Sequence, residues 1–181
     1  MARVTRESFA ALVVGQPERL ADELSPALEA VRDPRAELVL ERAGAEATCW
    51  VGDDAACLLV PEADGVFRAF SLDFDELPVA LLRAVGARAA RAPDGGEVTV
   101  PPGELAGALA RVARGEPAGE RLAPVLDGFT GHWRIADGAR AVEVIHTEGG
   151  CWAVEPTGEA VGLRPVDGAW IARAMTELLD A

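Results

Sequence analysis

The sequence predicts an α+β (α/β) fold: two antiparallel β-meander-plus-helix units, related by a pseudo-twofold and packed as one body, with helices at the N-terminus. Three observations predict it. Apolar residues recur at helical spacing up to Pro34 and at strand spacing from Glu37 onward. The β-type runs fall into two groups of four, each closed by an amphipathic helical run. Finally, "CLLVPE" at 57–62 and "CWAVEP" at 151–156 read as two versions of one phrase. On this reading 1–181 is a single domain, with repeat units at 36–91 and 129–181 joined by 92–128.

The elements follow in order. Thr5 is a helix N-cap candidate ahead of Phe9, Leu12 and Val13. Pro17 suits a first helical position, with Leu20, Leu24, Leu28 and Val31 at helical spacing. Ser25-Pro26 is expected to kink or split that helix, and Pro34 to end it, because proline disfavours the α region for the residue before it. Next come "ELVLERA", "EATCWVG", "ACLLVP" and "VFRAFSLD", separated by "GAE", "GDDA" and "EADG", which carry the Gly and Asp of tight hairpin turns. Asp73 or Asp75 then caps a helix with Leu77, Leu81, Ala84 and Val85 on one stripe and Pro78 in its first turn.

Residues 92–128 read as a connector: a brief strand at Val98–Val100, a helix from Pro102 to Arg114, and one more helical turn. The second group is "FTGHWRIA", "RAVEVIHT", "GCWAVEP" and "AVGLRPV". A last helix, capped by Asp167, aligns Trp170, Ala174, Met175, Leu178 and Leu179.

Sliding 38–85 onto 132–179 by 94 positions needs no gap and yields seven identities, among them Cys57 on Cys151 and Asp73 on Asp167. That number is weak in an Ala- and Gly-rich chain. The stronger sign of duplication is that strands fall on strands and capping aspartates coincide. Runs such as "ACLLV" are apolar on both faces, Cys57 and Leu59 on one and Leu58 and Val60 on the other, so both faces need cover. One face can take the unit's own helix. The other must meet the sister unit, the N-terminal helices or a partner.

Composition excludes several classes of function. The net charge of −13 opposes phosphate backbones and anionic lipid, so no nucleic acid partner is expected. No run approaches the roughly 18 apolar residues of a membrane span, and no cleavage signal follows the N-terminal stretch; we expect no membrane insertion and a cytoplasmic location. Cys49, Cys57 and Cys151 never form a C-x-x-C, which leaves buried reduced thiols as the expectation. No nucleophile elbow, P-loop, dinucleotide fingerprint or zinc pair occurs. His132 and His146 lie in different strands, "DFDE" at 73–76 reads as a helix start and "GDD" at 52–54 as a turn. Trp50, Trp133, Trp152 and Trp170 read as core or subunit anchors. A thiol hydrolase on Cys57 or Cys151 with His146 is disfavoured, because burial opposes the thiolate. No catalytic, metal or cofactor residue is assigned, and no cofactor is expected.

As an ordered pattern, "LSPALEAVRDPRAELVLERAGAEATCWVGDDAACLLVPEADGVFRAFSLDFDELPVALLRAVG" resembles the first half of the EspG family of type VII (ESX) secretion-associated proteins of actinobacteria. "GHWRIADGARAVEVIHTEGGCWAVEPTGEAVGLRPVDGAWIARAMTELL" is similar to that family's C-terminal half, with a late strand, a tryptophan, a "V-x-P" and a leucine-rich terminal helix. The likeness spans most of 24–180. It implies an α/β body of two quasi-symmetric halves, no enzymatic activity, and a cytosolic chaperone or adaptor. In mycobacterial members the client is a PE–PPE heterodimer, kept soluble by covering an apolar helical tip before export. This chain is shorter, with a trimmed N-terminus and an abbreviated region between Pro102 and Gly128, so no individual binding residue carries over. The expected partner is another protein, a PE/PPE-like or other helical secretion substrate. The alternative is a different protein-binding module, an immunity protein or a regulatory subunit.

Overall fold

The computed structural model describes residues 2–5, 25–62, 66–88 and 90–180. The helical readings on 6–24 lie outside them. The chain divides into two compact units: Met1–Ala87 with Arg134–Ala141 and Leu178–Ala181, and Arg88–Trp133 with Val142–Glu177.

The first unit holds β1 (Ala2–Thr5), α1 (Ser25–Arg32), β2 (Ala36–Arg42), β3 (Ala45–Val51), β4 (Ala55–Pro61), β5 (Val66–Asp73), a 3-10 turn (Phe74–Glu76) and α2 (Leu77–Ala84). Its strands run in the order β1-β5-β4-β3-β2, each antiparallel to its neighbours. Thr5 ends a strand that pairs with Val66 on β5, and the helix it is expected to cap lies outside the described residues. Pairing here satisfies the edge of β5, a tertiary demand that local spacing does not display. Among the described residues α1 runs from Ser25 and stops ahead of Pro34, and the expected kink or split at Ser25-Pro26 turns on residues outside them. Between β2 and β3 the two loop residues, Ala43 and Gly44, both have positive φ (49° and 79°), which closes the hairpin in the twist its strands require.

Register sorts the side chains. Leu38, Cys49, Leu58 and Phe70 form one cross-strand row, and Val39, Thr48, Leu59 and Ala69 the next. Since successive side chains alternate faces, Cys57, Leu59 and Ala69 share a face, and Ala27 of α1 buries them with Val31, Trp50 and Phe67 alongside. The N-terminal helix is thus the cover for that side. Leu58, Val60, Phe70 and Leu72 lie on the opposite face, beside α2. Leu77, Leu81 and Val85 are buried along one side of α2. Neither Asp73 nor Asp75 caps as expected: Asp73 precedes the 3-10 turn without a side-chain bond, and Asp75 lies inside it.

The second unit holds β6 (Val98–Val100), α3 (Pro102–Val112), α4 (Ala123–Leu126), β9 (Cys151–Thr157), β10 (Ala160–Val166) and the greater part of β7 (Phe129–Ala136), β8 (Ala141–Thr147) and α5 (Gly168–Leu179), with strand order β7-β8-β9-β10-β6. Asp167 caps α5 as expected, its Oδ1 accepting the Trp170 backbone N–H at 2.9 Å. The segment read as a connector does more than connect. Leu105, Ala108, Leu122, Val125 and Leu126 of α3, α4 and their flanks bury Val100, Ile145, Trp152 and Leu163 in one cluster. An apolar strand face must be covered by something, and here the 92–128 segment covers it.

Both units therefore run meander then helix, but the gapless superposition is out of register. Cys57 lies on the face covered by α1, whereas Cys151 shares a row with His146 and Val166, opposite the α3–α4 face. Shifting β2–β4 by 95 positions instead matches like faces: Leu38 with Trp133, Val51 with His146, and Leu58 with Ala153. From β5 onward 94 is right, matching Leu77, Leu81 and Val85 to Ile171, Met175 and Leu179, all buried. A slip of one residue exchanges the two faces of a strand, so the shared cysteine marks no shared site.

Candidate functional site

Beside β4, β5 and α2 the first unit leaves a groove of about 740 Å³. Its floor is Leu58, Val60, Phe70 and Leu72, and Val79 and Ala80 of α2 form a wall. Among the described residues Val79 is the exposed large apolar side chain, at 51 %. It projects away from the buried Leu77–Leu81 line, where the helix repeat requires it to point. The rim is charged: the carboxylate of Glu62 accepts from the guanidinium of Arg68, Asp75 and Glu76 stand at the N-terminal end of α2, and Arg83 near its C-terminal end.

In the second unit the matching positions carry other chemistry. The counterparts of Val60, Phe70 and Glu76 are Glu155, Arg164 and Trp170. The Arg164 guanidinium donates to Glu155, with Nε at 3.2 Å, and lies over the Trp170 ring at 5.2 Å. Glu155 and the ring together hold the guanidinium in place. Trp170, expected in the apolar stripe of α5, is half-buried beneath it, as Trp50 is half-buried on its own sheet; Trp133 and Trp152 are core.

The structure brings Cys151 and His146 together, the pairing that the sequence left open for a hydrolase. Cys151 Sγ lies 3.1 Å from His146 Nδ1, and Trp133 Nε1–H donates to His146 Nε2 at 2.8 Å. An indole nitrogen is always a donor. Nε2 must therefore be the unprotonated nitrogen, and the neutral ring carries its proton on Nδ1, facing sulfur. Taking a second proton would set two N–H groups against each other. Burial, and then the charge of Arg88, hold His146 below the usual histidine range, and burial pushes the Cys151 thiol up. This geometry opposes a thiolate–imidazolium pair. Burial likewise pushes Cys57 up to about 12 and, with the Cys57 charge beside it, raises Cys49. All three cysteines are buried and free.

His132 pairs instead with Glu143, Nε2 to Oε1 at 2.8 Å. Asp53 and Asp54 of the "GDD" turn join Glu29 and Asp33 around a recess of about 400 Å³, yet among the described residues no three His, Cys, Asp or Glu are placed to hold a metal ion. Sequence reasoning missed Phe70, Leu72 and Val79. The available signal was that Phe70 and Leu72 share a face with Leu58 and Val60, while Val79 falls off the α2 stripe.

The fold and groove define a class, a mixed protein of helix and antiparallel sheet with an apolar cleft beside one helix. Its architecture is similar to a solved structure, the Mycobacterium tuberculosis type VII secretion system chaperone EspG5 in complex with a PE25–PPE41 dimer. The TM-score is 0.53 at 11% identity, over 89% of this chain and 78% of that one. No family model and no curated protein matches the sequence. Among the described residues no helix is long and apolar enough to cross a membrane.

Proposed function

We propose that this chain is a non-enzymatic cytoplasmic chaperone or adaptor that holds another polypeptide, a PE/PPE-like or other helical secretion substrate. The observation that carries the reading is the open apolar groove of the first unit, with Val79 exposed on its wall. Apolar surface left uncovered on a protein this acidic suits a partner's apolar surface. The fold similar to that of EspG5 supports the reading, and the dimer bound in that structure suggests the client class. The two units, on this proposal, descend from a duplication, stand related by a pseudo-twofold and form a single domain.

Co-expression with helical secretion substrates encoded near the gene tests it. A stable stoichiometric complex and a higher soluble yield of the client are expected. No complex with any such client, together with an unchanged client yield, defeats the proposal. The non-enzymatic part has its own check: Cys151 should resist thiol reagents at neutral pH until the protein is unfolded, and rapid labelling of the folded protein would count against it.

A further inference from the structure

We infer that the groove of the first unit takes an amphipathic α-helix of a second protein, with Lys or Arg at the N-terminal end of its apolar stripe. The inference rests on the chaperone or adaptor reading and adds the surface and the chemistry of its occupant.

Length is the first ground. From Arg68 to Leu72 the floor advances four strand residues, about 14 Å. From Glu76 to Ala84 the wall advances eight helical residues, about 12 Å. A helix with anchors at i, i+4 and i+7 spans about 11 Å and fits that trough.

The second ground is the contrast between units. Where the second unit fills the matching place with the Trp170 ring, Arg164 and Glu155, the first has Glu76, Phe70 and Val60. At these positions it has neither the ring nor the cation, which stands instead two residues away as Arg68 paired with Glu62, and it offers Phe70 and Val60 with an acid at the end. What would complete it is an apolar side chain on Phe70 and a cation near Glu76.

Rim charge sets direction. Glu62 and Arg68 pair with each other, and Asp75 and Glu76 stand at one end of the wall with Arg83 toward the other. A helix N-terminus carries partial positive charge and its C-terminus partial negative. The occupant therefore lies with its N-terminal, basic end at Glu76 and its last carbonyls toward Arg83.

The test uses the full chain with labelled Leu and Val methyls, and synthetic helical peptides bearing a Leu/Phe stripe with either Lys or Glu at the N-terminal end. The Lys peptide should shift the methyls of Leu58, Val60, Leu72 and Val79. Val79→Glu, on an exposed helix position that folding tolerates, and Phe70→Asp should each weaken it about tenfold or more. Joint Asp75→Lys and Glu76→Lys replacement should transfer preference to the Glu peptide. The inference is overturned if no peptide binds, if the shifts fall elsewhere, if the two peptides bind alike, or if a proline-broken peptide binds equally well. Shifts of these methyls on concentrating the protein alone would make the occupant a second copy and would also overturn it. A client that binds the native protein and Val79→Glu and Phe70→Asp variants equally removes this groove while leaving the chaperone reading intact; absence of any client complex removes that reading itself.

Discussion

His146 shows how one proton can be assigned by neighbours. Between an indole N–H and a thiol, in a site where burial opposes charge, the ring is confined to one neutral tautomer. Its folded pKa lies below its unfolded value of about 6.5. The unfolded state therefore binds the extra proton first: this contribution to stability is fully present above about pH 6.5 and is lost as pH falls toward the folded pKa. Replacing His146 with Gln should flatten the acid side of a stability-against-pH curve measured by urea denaturation. A slope below pH 6.5 equal to that of the native protein would show that other groups control it.

At the scale of elements, the β2–β3 hairpin carries a residue its turn does not favour. Ala43 sits at φ 49° in a loop whose second residue is Gly44, and Asn tolerates that conformation far better than Ala. Ala43→Asn should stabilise the protein by about 0.5–1 kcal/mol in chemical denaturation; no gain would mean the loop is relaxed by other contacts. The 92–128 segment makes the opposite point, because it reads as a joiner and folds as cover. Leu105 is only 4 % exposed within the second unit's cluster. Leu105→Ala should cost about 2–5 kcal/mol, whereas a residue in a mere connector would cost under about 0.5 kcal/mol.

Strand positions were legible at this scale because alternation and Gly/Asp turns are local signals: "FTGHWRIA" and "AVGLRPV" coincide with β7 and β10 end to end. Facing was less legible. The repeated cysteine invited a gapless match, but one extra position ahead of β5 turns every side chain of β2–β4 to the other side relative to that match. Capping shows the same split. Asp167 bonds the backbone of its helix, while Asp73, alike in sequence, does not, because a 3-10 turn intervenes before α2.

For the whole molecule, the proposed single domain predicts one cooperative unfolding transition, with tryptophan fluorescence, dominated by the buried Trp133 and Trp152 of the second unit, coincident with circular dichroism across both. Separate midpoints would mean that the units fold as independent bodies. The candidate site emerges only at this level. No motif announces the groove, since its floor comes from alternate residues of two strands and its wall from the off-stripe side of a helix.

By itself the sequence determined the order and type of its strands and α-helices from β2 onward, the burial of its cysteines and the absence of known catalytic signatures, because periodicity, turn residues and apolar runs act over a few neighbouring positions. Tertiary structure alone decided which helix covers which strand face, which tautomer His146 holds, and that Val60, Phe70 and Leu72 stay half-exposed beside Val79. Those outcomes depend on registers and contacts between segments far apart in the chain, where a shift of a single residue exchanges inside for outside.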